Sequence, residues 1–365
     1  MDTPAPSRDR ERERISSGVT ELLSLIRQWA LELGFQQTGI SGIDLGEAEQ
    51  RLQTWLARGW HGGMSYMARH GRRRSHPAEL LAGTLRVISL RMDYRTDAAR
   101  AAEEVLADPA CAYISRYALG RDYHRLIRGR LRRLAARIED HTGAFVYRPF
   151  VDSAPVMEKP LANQAGLGWI GKHTNLIHPR AGSWFFLGEL YTDLDLPVDE
   201  PFPGSHCGRC SRCMSICPTG AIVAPYQLDA RLCISYLTIE LRGSIPVQLR
   251  SLIGNRVFGC DDCQLVCPWN RFARLSAEAD FRPRHGLDSA GLLELFAWSE
   301  AEFKRRTEGS SIRRIGFECW SRNLAVALGN GPGTPEVRTA LQQRLAGASQ
   351  IVSEHVQWAL QQYPR

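Results

Sequence analysis

The sequence predicts an α+β protein of several domains, and three observations support this. The 365 residues suffice for two or three domains with sizeable cores. Strand-like and helical patterns intermix in the N-terminal half, eight of the ten cysteines lie between Cys207 and Cys267, and helical patterns dominate thereafter. We expect a disordered tail (residues 1–14), a mixed domain (15–195), a cysteine-rich domain (196–275) and a helical domain (276–365).

The N-terminal domain is predicted from hydrophobic periodicity. Apolar residues at helical spacing favour a helix over residues 17–34, which ends at a glycine. The runs RVISL (86–90) and AFVY (144–147) are typical of strands. Residues 122–140 form a predicted amphipathic helix with an apolar stripe and an arginine-rich outer face.

The later domains are separated by the proline- and acid-rich segment LPVDEPFPG (196–204). Helices are predicted over residues 290–297, 312–328, 335–346 and 351–362. Glycine-containing turns separate the last three helices, a pattern similar to stacked helix pairs of the HEAT type. Four helices are too few for an independent solenoid, so we expect them to pack on the preceding domain.

Composition narrows the class of protein. The chain has 46 basic and 39 acidic residues, a formal charge of +7 that suits a polyanionic partner without requiring one. Only three of the basic residues are lysines, two of which are Lys159 and Lys172. No apolar run approaches the roughly 20 residues that span a bilayer, and the polar start MDTPAPSRDRERER does not resemble a secretory signal. We expect a cytoplasmic protein without a membrane segment.

The cysteines form the strongest motif. Cys-x2-Cys-x2-Cys-x3-Cys-Pro begins at Cys207, and Cys-x2-Cys-x3-Cys-Pro begins at Cys260. The first run matches the bacterial two-cluster ferredoxin pattern, in which the fourth cysteine ligates the other cluster. Cys233 replaces the cysteine that the second run lacks. The predicted ligand sets of two 4Fe–4S clusters are Cys207, Cys210, Cys213 and Cys267, and Cys217, Cys233, Cys260 and Cys263.

The alternative interpretation of these cysteines is a pair of structural zinc sites, which also use Cys-x2-Cys elements. Zinc requires neither the third close cysteine nor the Cys-Pro endings, so the pattern favours iron–sulfur clusters. Such clusters carry single electrons, and another part of this chain or another protein must use them. Cys111 and Cys319 belong to no motif and are expected in the core.

Several longer segments resemble epoxyqueuosine reductases. They are VISLRMDY (87–94), RYALGRDYH (116–124), DSAPVMEKPLANQAGLGWIGK (152–172), CDDCQLVCPWN (260–270) and RRIGFECWSRNLAVALGN (313–330). The resemblance covers nearly the whole chain. It implies a cobalamin-binding catalytic domain, a ferredoxin-like domain with two 4Fe–4S clusters and a HEAT-like domain. It also implies reduction of epoxyqueuosine to queuosine at the wobble position of tRNA, the last step of queuosine synthesis.

The same resemblance implies the site residues. Asp152 would be the general acid, and an apolar pocket would raise its pKa so that it stays protonated near neutral pH; a loop-capping aspartate is the alternative. Base-off cobalamin would contact residues of several segments: Arg74, Asp152, Gly171, Lys172, Asp261 and Asp262. Each of two residues also has a structural explanation that does not involve cobalamin. Gly171 could serve a tight turn, and Lys172 could form a surface ion pair. His124 is not expected to ligate cobalt, because Ile127 interrupts the Asp-x-His-x-x-Gly signature.

The implied partners are tRNA and an external low-potential electron donor. Arginines that could meet phosphates lie at 72–74, on the 122–140 helix, and at 305, 306, 313 and 314. Trp320 and Asn323 are expected to serve helix packing. One chain supplies all eight cysteines, so a monomer suffices. The alternatives are a reductive dehalogenase-like enzyme, a ferredoxin-type electron carrier and a zinc-stabilised RNA-binding module.

Overall fold

The computed structural model describes residues 8–363, with side chains from residue 18 onward. No helix in this part of the chain has the length and apolar character needed to traverse a membrane. The α-helices are α1 (Arg8–Glu32), α2 (Gly46–Ala57), α3 (Tyr66–Arg69), α4 (Pro77–Leu80), α5 (Ala102–Ala107), α6 (Tyr123–Thr142), α7 (Glu158–Gln164), α8 (Arg212–Ile216), α9 (Val247–Ile253), α10 (Asp262–Leu265), α11 (Leu292–Phe296), α12 (Glu300–Arg306), α13 (Gly316–Gly329), α14 (Pro335–Arg344) and α15 (Gln350–Gln361).

The strands are β1 (Gln37–Ser41), β2 (Arg86–Asp93), β3 (Tyr113–Ile114), β4 (Tyr147–Phe150), β5 (Trp169–Ile170), β6 (Leu176–Ile177), β7 (Phe185–Thr192), β8 (Ile222–Ala224), β9 (Gln227–Leu228) and β10 (Arg256–Phe258). Four of them form an antiparallel sheet in the order β1-β2-β7-β4. In its register, Glu189 of β7 lies between Ser89 of β2 and Phe150 of β4.

The central sheet is covered on both faces, so β2 and β7 are almost entirely buried. On one face, α1 and α6 pack against alternate apolar residues such as Ile88, Leu90 and Leu190. On the other face, α7 contacts β1, β2 and β7. Two smaller apolar clusters lie there, one around Val87, the other around Leu187.

A second large core joins the C-terminal helices to the cysteine-rich segment. It contains α11, α13, α14 and α15 together with residues 230–258, and it also includes Ala112 and Ile114. The parallel pair β3–β10 lies within it, so the N-terminal domain is hydrogen-bonded to the strand that precedes the second cysteine run. Trp320 and Asn323 are buried in α13, and Cys111 and Cys319 are buried as expected.

Most predicted elements are present, but several of their bounds differ. The helix predicted over residues 312–328 is divided, because Ser311–Ile315 form a 3-10 turn and α13 begins only at Gly316. The predicted strand 144–147 was wrong in position, because β4 spans Tyr147–Phe150 and contains Pro149. A proline is tolerated there because β4 is an edge strand. Helix α1 begins at Arg8, earlier than the predicted residue 17, in a run of arginine and glutamate with good helix propensity. Residues 1–7 of the predicted tail lie outside the described part of the chain.

Candidate functional site

Asp152 lies in a loop at one end of the sheet, between β4 and α7. Its φ of +37° is in the left-handed region, which non-glycine residues rarely adopt and which is most often seen at functional sites. The loop borders a cavity of about 280 Å³. The cavity is lined by the aromatic residues Tyr94, Tyr117, Tyr123, Phe185 and Phe186 and by polar residues that include Asp152, Glu158, Lys159, Asn175, Ser183 and Gln264.

The Asp152 carboxylate is held from one side by two residues of α6. The Tyr123 hydroxyl donates a hydrogen bond to Asp152 Oδ2. The same oxygen lies 3.2 Å from His124 Nε2. Tyr123 is fixed in turn by its stack on Phe186, with ring centroids 3.8 Å apart. Half of the Asp152 side chain remains exposed, so the carboxylate can reach a ligand in the cavity.

A further pair of residues orients His124. Asp122, the N-cap of α6, accepts a hydrogen bond from His124 Nδ1 at 2.7 Å. Arg314, from the turn before α13, reaches Asp122 Oδ2 at 3.0 Å and lies 3.1 Å from His124 Nε2. Burial opposes ionisation of Asp122, but the hydrogen bond from His124 and the charge of Arg314 lower its pKa to about 2. The imidazole is therefore held between two carboxylates.

The pKa of Asp152 is opposite to the sequence prediction. Desolvation by the surrounding protein raises the pKa of the Asp152 carboxyl group. Its interactions with His124 and Tyr123 outweigh desolvation and hold the pKa below its ordinary value. Burial lowers the pKa of His124, and its bonds to Asp122 and Asp152 raise it above the ordinary value overall. The proton shared by Asp152 and His124 thus resides on the imidazole, and the expectation of a protonated Asp152 was wrong for this conformation.

Two glutamates that the sequence analysis did not single out lie behind Asp152. Glu158, the first residue of α7, lines the cavity, and burial raises its pKa to about 7. Glu189 of β7 is fully buried, and burial raises its pKa well above the ordinary value. The available signal was a glutamate inside the otherwise apolar strand FFLGELYT.

The four cysteines of the first predicted ligand set line one cavity. It measures about 270 Å³, and its walls contain the Cys207, Cys210, Cys213 and Cys267 side chains together with Trp269. Thiolates at the corners of a compact cavity suit a 4Fe–4S cluster, which is held by cysteine sulfur. The arrangement brings Cys267 of the second run to the first run, as the ferredoxin pattern requires.

The second predicted set lies beside the first and beside the Asp152 cavity. Burial raises the pKa of Cys263, and the nearby Cys233, Cys213 and Cys217 raise it further. Tyr94, which lines the Asp152 cavity, lies within electrostatic range of Cys263. The second set therefore lies close both to the first set and to the Asp152 cavity.

Among the described lining residues of the Asp152 cavity, Asp152 alone belongs to the six predicted cobalamin contacts. Lys172 Nζ instead donates to the carbonyl oxygens of Gly208 at 2.7 Å and Cys210 at 2.9 Å, so it supports the first cysteine loop. Gly171 lies between β5 and β6, where a Cβ would lie 2.5 Å from Ile177 Cδ1. A packing requirement accounts for this glycine.

The other three residues predicted to contact cobalamin also interact with groups of the protein. Asp261 is buried and accepts hydrogen bonds from Tyr113, Ser115 and the Arg116 main chain, which tie the second cysteine run to β3. Asp262 pairs with Arg256 through two hydrogen bonds, of 2.5 and 2.7 Å. Arg74 is buried and donates to the Tyr66 carbonyl.

The predicted phosphate-binding arginines fall into two groups. Several are engaged within the protein: Arg72 with Glu79, Arg130 with Glu278, Arg137 with Glu32, Arg305 and Arg306 with Glu302, and Arg314 with Asp122. On the outer face of α6, Arg128, Arg132 and Arg133 have no ion-pair partner within the described residues. These three are free to meet phosphates.

Comparison with known proteins agrees with this arrangement. A family model described as "4Fe-4S double cluster binding domain" matches residues 206–270, which include all eight motif cysteines. A second, described as "Epoxyqueuosine reductase QueG, DUF1730", matches residues 74–153. The chain is 63% identical to the epoxyqueuosine reductase of Pseudomonas aeruginosa over 342 residues, covering 94% of each protein. It is 56% identical to that of Escherichia coli, covering 94% of this chain and 90% of the relative.

Solved structures share the whole architecture. An epoxyqueuosine reductase crystallised with an epoxyqueuosine-modified tRNA-Tyr stem loop superimposes with a TM-score of 0.85 at 26% identity, covering 94% of this chain and 90% of that one. The Bacillus subtilis epoxyqueuosine reductase, solved with its catalytic aspartate loop swung out of the active site, gives a TM-score of 0.84 at 26% identity. It covers 94% of this chain and 91% of its own.

Proposed function

The chain belongs to the epoxyqueuosine reductase family, and we propose that it reduces epoxyqueuosine to queuosine at the wobble position of tRNA. One observation carries the proposal beyond family membership. A half-exposed carboxylate, 3.2 Å from a histidine nitrogen, borders a cavity next to a cysteine set suited to an iron–sulfur cluster. An acid and an electron supply at one cavity are the two requirements of reductive deoxygenation.

The reaction balances with two electrons and two protons. Both carbon–oxygen bonds of the epoxide break, a carbon–carbon double bond forms, and the oxygen leaves as water. The electrons come one at a time from the clusters, which an external low-potential donor reduces. Both protons finish on the departing oxygen, so the protein must provide a proton donor close to it.

Asp152 and His124 form that donor. The imidazole stores the proton and the carboxylate, which faces the cavity, delivers it as charge develops on the epoxide oxygen. Asp122 keeps the imidazole oriented, and Tyr123 fixes the carboxylate. The loop of the Bacillus subtilis relative supports this assignment, because it also carries a catalytic aspartate and swings out of the active site.

The electron path uses the two cysteine sets. Cys207, Cys210, Cys213 and Cys267 would hold the outer 4Fe–4S cluster, and Cys217, Cys233, Cys260 and Cys263 the one beside the cavity. Because Cys213 of the first set and Cys263 of the second interact electrostatically, clusters held by the two sets would lie close together. The matched double-cluster domain supports two clusters in this segment.

The residues around the Asp152 cavity fit cobalamin. A second cavity of about 800 Å³ lies on the other side of the Tyr94–Trp184 contact, within the size range of cofactor sites. Arg116, Arg212 and Arg271 line it and suit the cofactor's phosphate, and Ser183 and Gln264 can meet its peripheral amides. Cobalamin bound by these residues would supply a low-potential cobalt centre for the reduction.

The substrate is a tRNA anticodon, which the tRNA-bound relative supports. The α6 arginines lie on the helix whose first turn carries Tyr123 and His124, so phosphates on its outer face would place a splayed wobble base near Asp152. A monomer suffices for the reaction, because one chain supplies the acid and both cysteine sets. We infer that it acts in the cytoplasm.

Anaerobic turnover tests the proposal. Protein with both clusters reconstituted is given epoxyqueuosine-containing tRNA and a low-potential reductant, with or without cobalamin. Nucleosides from the digested tRNA are then analysed by mass spectrometry. We expect loss of one oxygen atom from epoxyqueuosine only when cobalamin is present. No conversion by protein shown to hold clusters and cobalamin would refute the function, and conversion without cobalamin would refute the cofactor.

A further inference from the structure

We propose that Glu158, with Glu189 behind it, supplies the second of the two protons consumed in the reaction. The inference rests on the proposed function, since it concerns the same cavity. Asp152 and His124 hold one shared proton, whereas the reaction requires two. The structure places a separate pair of carboxyl groups at the cavity, with the burial that keeps carboxyl groups protonated near neutral pH.

Glu189 is the inner member of this pair. It lies in the middle of β7, between Ser89 on β2 and Phe150 on β4, and none of its side chain is exposed. Among the described residues, neither of its carboxylate oxygens has a hydrogen-bond partner, and the same is true of the Ser89 hydroxyl. A buried carboxylate without partners is costly, so Glu189 is held as the neutral acid.

Glu158 is the outer member. It begins α7, which packs over β7, and its side chain borders the cavity that Asp152 faces. Its Oε2 is buried and lacks a partner within the described structure. Glu158 also lies close to the Asp152 backbone, which belongs to the loop of the acid. Glu158 therefore connects the buried Glu189 to the cavity.

The charged and titratable groups around Glu158 act in both directions. Burial and the negative charge of Asp152 raise its pKa, while Lys159 and His124 lower it. Lys159 is directed away, to the Thr174 carbonyl at 3.2 Å and Asn175. Glu189 faces Glu158 from the sheet, with Tyr191 beside it. The resulting pKa of about 7 means that Glu158 carries its proton in about half of the molecules at neutral pH.

The proton balance then closes. The first proton, from Asp152 and His124, goes to the epoxide oxygen as the first carbon–oxygen bond breaks. The second, from Glu158, goes to the same oxygen as the second bond breaks and water leaves. The two electrons come from the external donor through the clusters. Glu189, held neutral in the sheet, adds no negative charge beside Glu158.

The first test measures protonation in the cluster-loaded protein without substrate. Infrared difference spectra across pH 5 to pH 9 detect the carbonyl stretch of a protonated carboxyl group. We expect a band that titrates near pH 7 in the wild type, disappears in Glu158→Gln and titrates near the same pH in Glu189→Gln, because Glu189 is already neutral. Glu32→Gln is the control, because Glu32 is an exposed partner of Arg137 and should leave the band unchanged. A wild-type protein without this band refutes the proposal.

The second test measures turnover. Glu158→Gln preserves the shape of the side chain but cannot donate a proton, so kcat should fall about 10- to 100-fold. Glu158→Ala should regain activity with added formate, which supplies an acid in the vacated space. If the wild type turns over and Glu158→Gln has the same kcat, the role of Glu158 is refuted. The role is also refuted if formate does not restore the activity that Glu158→Ala has lost. Absence of turnover in the wild type would instead refute the proposed function.

Discussion

The Nε2 atom of His124 lies 3.2 Å from Oδ2 of Asp152, and this contact determines where the first proton is stored. It raises the pKa of the imidazole and lowers that of the carboxyl group, so the pair holds its proton on His124. A lone aspartate would lose its proton far below neutral pH. The pair keeps a proton available to the cavity near neutral pH.

Replacing His124 should therefore move activity to lower pH. In the wild type, the pair retains its proton up to the raised pKa of His124. In His124→Gln only the carboxyl group titrates, so the proton is lost at a much lower pH and kcat at pH 7 falls about 10- to 100-fold. The measurement is kcat against pH, with His141→Gln, at the far end of α6, as the control. An unchanged profile would mean that His124 does not share the proton.

Arginines on the outer face of α6 should contribute to tRNA affinity. Neutralising Arg128 or Arg132 should raise KM for tRNA and leave kcat unchanged. It should also lower the slope of log affinity against log salt by about 1 for each phosphate that the variant no longer binds. Arg137→Gln is the matched control on the same helix, because Arg137 pairs with Glu32. Equal salt slopes for all three variants would place the tRNA elsewhere.

Cys233 should be a cluster ligand despite its position outside both cysteine runs. Cys233→Ser should lower the iron content of reconstituted protein from about eight to about four atoms per chain, because one 4Fe–4S cluster loses a corner. Cys319→Ser, in the buried face of α13, should retain the full iron content. Iron analysis with electron paramagnetic resonance of the reduced protein distinguishes the two variants. Full iron and two clusters in Cys233→Ser would contradict the ligand set.

Lys172 should stabilise the first cluster rather than bind the corrin. Its ammonium group bonds to two carbonyl oxygens of the first cysteine loop, and charged hydrogen bonds contribute about 1.5–3 kcal/mol each. Lys172→Met should therefore lose iron faster in air while binding cobalamin as the wild type does. Lys304→Met removes an exposed partner of Glu300 and serves as the control. Weakened cobalamin binding with normal cluster lifetime would restore the role implied by the family resemblance.

Features that depend on residues close together in the sequence could be predicted, and features that depend on residues far apart in the sequence could not. The cysteine pattern is local, and helix α6 is formed by consecutive residues, so the double-cluster segment and the helix were both predicted closely. Strand β2 was also recognised, since it is a short apolar run. The position of β4 was not, because its edge location, which makes Pro149 acceptable, depends on pairing with β7.

The features that sequence reasoning missed depend on residues brought together by folding. Lys172 finds its partners 36 and 38 residues away, on the first cysteine loop. The lowered pKa of Asp152 depends on a histidine 28 positions earlier, whose bond outweighs burial. Glu158 and Glu189 meet only because α7 packs on β7. No periodicity or spacing reports such contacts.

The central claim is that Asp152 donates a proton to the substrate, and single-turnover deoxygenation by Asp152→Asn tests it most directly. The asparagine keeps the shape and can still bond to Tyr123, but it cannot deliver a proton. Cluster-loaded, cobalamin-bound Asp152→Asn should convert epoxyqueuosine about 100- to 10,000-fold more slowly than the wild type. Asp140→Asn, at an exposed position of α6, should react normally. A rate for Asp152→Asn within about twofold of the wild type would contradict the account.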